Sequence, residues 1–311
     1  MSFAADVAWL HHVHGLSQAE IADRRGLSRM KVHRLLQQAY ESGIVRIFID
    51  RVPTFCAELE AGLIDRFGLT SCVIVPDAVP APSMFDCMAA VSSAGAMFLH
   101  GMLESTEART IGIGSGRTMA ATVRAMPTLS RPATTFVSLT GDFAVLNNAN
   151  PFEVINTLIQ KTGGKGNAFT APLIVETKED RELFLRQRAV AGAMALVEQA
   201  EFFFTGLGNV GENSFFDSYG LVTKPELEEL KDLDIAADIS GNLVNSKGEF
   251  IVNGLAQRML GVKPSELRTH KLIMVAGGVE KSKAAIAALR TGCVNGLITD
   301  EVVARIVLEN T

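Results

Sequence analysis

Cysteine is scarce in this sequence. The four cysteines, Cys56, Cys72, Cys87 and Cys293, stand far apart and form no Cys-x-x-Cys pair. That scarcity argues against a disulfide framework and a structural zinc site, and it favours a reducing cytoplasm. Long apolar runs are missing too, as is a basic and then apolar leader at the N-terminus. We therefore expect no membrane span and no secretion signal.

Two further absences narrow the function. The phosphate-loop motif GxxxxGK[ST] does not occur, which argues against a nucleoside triphosphatase of that class. His11, His12 and His14 lie close together, but their spacing on one helix does not give a convincing set of metal ligands. We expect neither a metal nor a cofactor.

The residues that are present suit a globular protein with two domains. The chain has 311 residues, of which 48% are hydrophobic and 20% are charged, and this length favours two domains over one. Residues 1–51 contain seven Lys or Arg and five Asp or Glu, a net charge of +2. The whole chain carries −5, which leaves −7 on the remainder. A basic end on an acidic body suits a protein that contacts DNA through one small domain.

The segment SQAEIADRRGLSRMKVHRLLQQAY, residues 17–40, predicts two short helices joined by a tight turn. Ser17 and Glu20 match a capping box at the start of the first helix. Gly26 permits the positive φ of a turn, and Ser28 can cap the second helix. The second helix is apolar on one face and basic on the others. This is the layout of a helix-turn-helix that reads duplex DNA in the major groove.

Basic and polar side chains of this motif are the expected contacts to bases and phosphates. They are Gln18, Ser28, Arg29, Lys31, His33 and Arg34. A β-branched run over Ile44–Asp50 predicts a strand that would form the wing of a winged motif. Two alternatives stay open: an ordinary helical hairpin with solvated charges, and a helix-turn-helix that contacts only proteins.

Beyond a predicted hinge at Arg51–Thr54, helices and strands alternate. Predicted helices cover residues 57–67, 84–103, 118–126, 152–162, 281–290 and 301–308, with further helical stretches between 181 and 199. Predicted strands cover residues 72–75, 110–113, 135–139, 202–205, 271–276 and 297–298. The alternation predicts an α/β domain with a largely parallel sheet over residues 52–311, beside a helix-turn-helix domain over residues 1–51.

The most informative loop of the larger domain is GIGSGRTM, residues 112–119, where a predicted strand runs into a helix. Glycines let backbone N–H groups converge there, and the helix dipole favours negative charge. Ser115, Arg117 and Thr118 add hydroxyl and guanidinium donors, so the loop can hold a phosphate or another small anion. Its spacing does not match GxGxxG, and a purely structural tight turn is the alternative.

Glycine-containing loops also follow three other predicted strands, at Gly141-Asp142, Gly206–Gly208 and Gly277-Gly278. Because parallel strands gather their carboxyl ends at one edge, we expect these loops to share a crevice with residues 112–119. Lys281 or Lys283 could reach a phosphate there, although both could be solvated. Thr299–Glu301 more simply predicts the N-cap and acidic first turn of the last helix.

The chain resembles the SorC family of bacterial sugar-binding transcriptional regulators, also called the DeoR-like sugar-binding group. The resemblance covers nearly the whole length and rests on residues 17–36 with GIVRIFID, on GIGSGRT, and on VAGGVEKSKAAIAALRTGCVNGLITDEVVARIVL. It implies an effector domain similar to the sugar-phosphate isomerase and glucosamine-phosphate deaminase fold, a phosphorylated sugar or polyol as ligand, and a tetramer. It also implies that the ligand's anionic end contacts Gly114, Ser115, Gly116, Arg117 and Thr118, with a role for Lys281 or Lys283.

One stretch departs from the family pattern. The family has GAxGDI followed by an aromatic pair, whereas this chain has Ala236-Ala237-Asp238-Ile239 and then Asn242-Leu243-Val244-Asn245. Asp238 keeps the carboxylate that would accept sugar hydroxyls, while its neighbours differ.

The sequence therefore predicts a regulator of a carbohydrate or polyol catabolic operon, and not an enzyme. Its partners would be operator DNA, a sugar, sugar phosphate or polyol phosphate effector, and further copies of the chain, as a tetramer that is a dimer of dimers. A single small DNA-binding domain offers little contact area, which favours symmetric pairing on two half-sites. The rival interpretation is an isomerase or deaminase with an attached helix-turn-helix, with Asp142 and Asp238 as the candidate general bases.

Overall fold

The computed structural model describes residues 3–41, 44–45, 54–77, 84–105, 110–142, 151–210, 214–218, 220–252 and 254–311. The chain divides into two compact units, Met1–Arg51 and Val52–Thr311. The predicted wing from residue 46 onward and the predicted hinge up to residue 53 lie outside the described residues.

The first unit consists of three helices, α1 (Phe3–His12), α2 (Gln18–Arg25) and α3 (Arg29–Glu41). Capping decides where α2 begins and ends. The Ser17 hydroxyl accepts the Glu20 N–H, and the Glu20 carboxylate accepts the Ser17 N–H. Gly26 ends the helix in the left-handed region with a φ of 62°, where glycine has no steric penalty. The predicted capping box and turn are confirmed.

The core of this unit confirms the predicted apolar face of α3. Four α3 residues are buried, namely Val32, Leu35, Leu36 and Ala39. They pack against buried residues of α1 and α2, namely Ala4, Val7, Ala8, Leu10, Ile21 and Ala22. Because the apolar face of α3 points inward, the basic side chains of α3 lie on the outside of the unit.

The second unit has ten strands within the described ranges. They are β1 (Ser71–Val75), β2 (Thr110–Ile113), β3 (Thr135–Ser138), β4 (Lys165–Asn167), β5 (Phe202–Gly206), β6 (Gly208–Asn209), β7 (Ile235–Asp238), β8 (Leu243–Asn245), β9 (Lys271–Val275) and β10 (Val294–Asp300). Seven of them form a sheet in the order β1-β10-β9-β5-β2-β3-β4. Every neighbouring pair in it is parallel. The strand order reverses between β2 and β5, and open parallel sheets bind ligands outside such a point.

The second unit has eleven α-helices within the described ranges. They are α4 (Thr54–Phe67), α5 (Met84–Ser105), α6 (Arg117–Ala125), α7 (Pro151–Thr162), α8 (Lys178–Arg186), α9 (Arg188–Glu198), α10 (Phe215–Ser218), α11 (Lys224–Asp232), α12 (Pro264–Thr269), α13 (Ser282–Arg290) and α14 (Glu301–Glu309). In β5, Phe203 packs in the core on one face, and Phe202 and Phe204 pack in the core on the other. Burial on both faces explains the uninterrupted apolar strands. The predicted α/β class with a mostly parallel sheet is confirmed.

The remaining strands, β6, β7 and β8, form a separate antiparallel sheet that was not predicted from the sequence. Strands of two to four residues are too short to show an alternating pattern. With α10 and α11 they enclose a small core of their own, which includes Phe216, Leu227 and Leu243. We call β6–β8, α10 and α11 the cap.

Candidate functional site

The first candidate surface is the outer side of α3. Arg29, Lys31, His33 and Arg34 are all exposed. The Ser28 hydroxyl accepts the Lys31 N–H at 3.2 Å and so caps the helix. Gln18 is half-buried at the start of α2. The structure thus brings the four α3 side chains predicted to contact DNA to one accessible helix, with no acidic residue in its first turn.

The second candidate site is a cleft at the carboxyl ends of β2, β5 and β9, beside the reversal of strand order. The sheet side supplies Ser115, Gly116, Arg117, Thr118, Thr140, Thr205, Gly206, Leu207, Gly277, Glu280 and Lys281. The cap side supplies Gly208, Asn209, Phe215, Phe216, Asp238 and Ser240, and Met88 and Leu173 complete the wall. The cleft therefore combines an apolar wall with four charged side chains.

The loop after β2 leads into α6, and its backbone requires glycine at two positions. A Cβ on Gly114 would overlap the Thr205 side chain on β5. Gly116 has a φ of 107° and precedes α6 without a side-chain cap, so the first N–H groups of the helix remain available to an anion. The Arg117 side chain is exposed and forms no hydrogen bond or ion pair with another residue of the described ranges. Gly114 itself supports this loop and does not line the cleft.

Asp238 ends β7 opposite Gly208 of β6. Its Oδ1 accepts the Gly241 N–H at 2.9 Å. Burial raises the pKa of Asp238 to about 7, whereas the Gly241 N–H and the Lys281 charge act to lower it. A ligand hydroxyl that donated to this carboxylate would offset the loss of water around it.

Lys281 ends a short 3₁₀ turn ahead of α13. Its Nζ donates to the Leu207 carbonyl and to Asn209 Oδ1, both at 2.9 Å. Burial and then the Arg117 charge lower the pKa of Lys281 to about 8, while Glu280 and Asp238 act in the opposite direction. Of the three N–H donors on an ammonium, one is left for a ligand. Lys283 is exposed on α13 and does not line the cleft.

The predicted contacts Gly141 and Asp142 also lie outside the cleft wall. A Cβ on Gly141 would overlap the Pro172 carbonyl. The Asp142 N–H donates to the Ala171 carbonyl at 2.6 Å, and the Leu173 N–H donates to the Asp142 carbonyl at 2.7 Å. This loop therefore holds residues 171–173 in place, and Leu173 is the residue that reaches the cleft.

Asp300 has the structural role that its position before α14 predicts. Its Oδ1 accepts the Val303 N–H at 2.9 Å as the N-cap of α14. Its Oδ2 accepts the Gly278 N–H at 2.5 Å, which holds the turn beside the cleft. The described residues contain no cluster of three metal-ligating side chains. No helix in these ranges is long and apolar enough to cross a bilayer.

Several lining residues were missed from the sequence. Phe215 and Phe216 stand in a short helix of the cap, and Ser240 is a non-glycine residue with a φ of 49°. None of these three residues lies in a sequence pattern that predicts a ligand contact. Asn209 does, because it directly follows the glycine-containing loop after β5, a position where α/β proteins gather ligand contacts.

Known proteins share this architecture. Residues 51–309 match the family described as "Putative sugar-binding domain". The chain is 34% identical over 304 residues to the erythritol catabolism regulatory protein EryD of Brucella abortus, covering 96% of this chain and 94% of that protein. It is 29% identical to the transcriptional regulator LsrR of Enterobacter sp. (strain 638), covering 98% and 92%. The full-length sorbitol operon regulator SorC from Klebsiella pneumoniae has a similar fold, with a TM-score of 0.72 over 98% of each chain at 22% identity.

Proposed function

Since the chain belongs to the SorC family of sugar-binding transcriptional regulators, we propose that it regulates a carbohydrate or polyol catabolic operon in response to a small polyhydroxylated effector. One observation carries the proposal. The same chain combines an exposed basic helix in its first unit with a polar cleft in its second. Erythritol and sorbitol, which the names of two related proteins contain, are both sugar alcohols, and this favours a polyol.

In the proposed complex with DNA, α3 enters the major groove of the operator in the cytoplasm. Arg29, Lys31 and Arg34 would contact phosphates or guanine edges, since guanidinium and ammonium groups donate to both. One three-helix unit offers a small contact area. Copies of the chain would therefore bind paired half-sites as a symmetric oligomer, in our proposal a tetramer made of two dimers.

In the proposed effector complex, the two charged regions of the cleft bind different parts of the ligand. The free N–H groups of α6 and the Arg117 guanidinium suit a phosphate. The Asp238 carboxylate and the remaining Lys281 N–H suit hydroxyls along the carbon chain. Met88, Leu173 and Phe215 would cover the C–H surface of that chain. A phosphorylated sugar alcohol or sugar meets all three requirements.

In this function the cleft binds its ligand without converting it. One observation favours the rival interpretation, an isomerase or deaminase. A carboxyl with a pKa near 7 is what a general base of an isomerase requires, and Asp238 has it. Asp142, the other candidate base, lies outside the cleft wall. A turnover assay with four- to six-carbon sugar phosphates decides between the two, since a regulator leaves all of them unchanged.

A pair of variants tests the proposal as a whole. We expect Lys31→Ala with Arg34→Ala to weaken operator binding and reduce its dependence on salt, because two counterion-releasing contacts are lost. The same protein should keep the effector-induced rise in melting temperature. Arg117→Ala should lose the effector-induced rise in melting temperature and keep normal operator binding in the absence of effector.

Lys224→Ala, an exposed charge on α11, is the matched control and should change neither property. Normal operator affinity in the double variant would remove α3 from the interface. A normal effector response in the Arg117 variant would remove the anion site from the loop before α6.

A further inference from the structure

Helix α8 presents a row of solvent-exposed side chains on which nothing in the described part of the chain packs. Glu179, Glu182, Leu183 and Arg186 are all exposed, and Leu183 retains 52% of its accessible surface. Their spacing of three, four and seven residues places them on one side of the helix. We call these four residues the α8 stripe.

The opposite side of α8 fixes the direction of the stripe. Phe184 and Leu185 pack against the core of the second unit. The Arg181 Nε donates to the Met259 carbonyl at 2.7 Å. These contacts hold the helix in one rotation, so the stripe faces away from its own unit.

Charge along the stripe is divided between its two ends. Both glutamates precede Leu183, and Arg186 follows it. Glu179 and Arg186 lie seven residues apart, which is about 10 Å along a helix and too far for a mutual ion pair. None of the three charged groups forms an ion pair with another part of the described chain.

This distribution is complementary to itself under a twofold rotation. If two α8 helices lie antiparallel with Leu183 near the axis, Glu179 of each copy faces Arg186 of the other copy. One twofold contact then forms the same ion pair twice. Leu183 and Glu182 of both copies lie between the two pairs, and Glu182 lies one helical turn from Arg186 of its own helix, which offsets its charge. The exposed face of the following helix α9 carries Ala191, Gly192 and Ala195, whose small side chains would let a second copy approach closely.

We propose that the α8 stripe is the centre of a twofold interface between two copies of this chain. The same stripe supplies both members of the charge pair, which points to a second copy and not to a different protein. The inference rests on the proposed function in one respect, that paired DNA-binding domains require an oligomer.

The test exchanges the charges in the full-length protein and measures its mass by sedimentation equilibrium. Glu179→Arg and Arg186→Glu should each raise the dissociation constant of the interface about tenfold or more, because each creates two like-charge contacts. The double variant with both changes restores opposite charges and should return within about threefold of wild type. Glu228→Arg, an exposed charge on α11, is the control and should leave the constant unchanged.

A second variant does not depend on charge. Leu183→Cys should form a disulfide between two copies on oxidation, because the residue lies near the axis, whereas Glu228→Cys should not. If the wild-type protein is a monomer, the oligomer in the proposed function fails together with this interface. If the wild type is an oligomer and both exchanges and the cysteine variant leave it unaffected, only the assignment to α8 is wrong.

Discussion

At Gly114 the chain passes so close to Thr205 that a single methyl group does not fit. This contact holds the loop after β2 against the end of β5, and the loop ends in the uncapped start of α6. The geometry of the proposed anion site therefore depends on a residue that does not itself line the cleft.

We expect Gly114→Ala to lower the free energy of unfolding by about 1–3 kcal/mol, because overpacking forces the two strand ends apart. Effector binding should weaken with it. Gly101→Ala in α5 is the matched control, since nothing lies within 4 Å of the added Cβ and alanine favours a helix. Urea unfolding measures the free energy of unfolding of both variants. An equal decrease in the two would contradict the proposed contact.

Asp238 links the cleft to the pH dependence of stability. Its pKa rises from an ordinary 3.8 to about 7 on folding. Between these values the folded state binds more protons than the unfolded state, so the contribution of this carboxyl is complete below about pH 4 and is lost as the pH rises through 7. Lys281 acts in a higher range, because its lowered pKa makes stability increase with pH between about 8 and 10.5. Arg117 and Glu280 are the other charges facing this pair.

We expect Asp238→Asn to be more stable than wild type at pH 8, by on the order of 1 kcal/mol. The amide oxygen still accepts the Gly241 N–H, while the buried charge is removed. The difference should shrink towards pH 5, and effector binding should be lost at both values. Urea unfolding at the two pH values measures this, and a variant that is less stable at pH 8 would contradict the buried carboxylate.

At the scale of elements, the same motif, a capping box, begins one helix in each unit. Ser17 and Glu20 cap α2, and Thr223 and Glu226 cap α11 in the same reciprocal way. Both motifs are local, which is why the first could be recognised in the sequence. The strands β6, β7 and β8 could not, because strands of two to four residues are too short to show an alternating pattern. In addition, β6 pairs with β7, which lies far along the chain.

Ser17→Ala should destabilise the first unit by about 1 kcal/mol and weaken operator binding, and leave the effector-induced shift in melting temperature unchanged. Thr223→Ala should destabilise the second unit by a similar amount, with operator affinity in the absence of effector unchanged. Hydrogen exchange read out separately over residues 3–41 and 220–252 measures both. Loss of protection in both units from either variant would show that they do not unfold independently.

At the scale of the whole molecule, operator and effector are assigned to different units. If effector binding changes operator affinity by a factor between about 5 and 150, linkage requires operator DNA to change effector affinity by the same factor. Titration of the effector with and without saturating operator measures the second factor. Two clearly unequal factors would show that the measured responses are not a binding equilibrium of one species.

The sequence by itself determined what depends on neighbouring residues. The helix-turn-helix follows from two caps and a glycine turn, the α/β class from alternating apolar segments, and the glycine-rich loop before α6 from GIGSGRTM. Only the tertiary structure decided which residues meet. Lys281 lines the cleft and Lys283 does not, because residues two apart at a helix start point to different sides. Asp238 joins Lys281 through strand pairing in the cap, whereas Asp142 holds Leu173 in its place. Local spacing sets caps and periodicity, whereas strand order and register, which bring distant segments together, leave no mark in any short stretch of sequence.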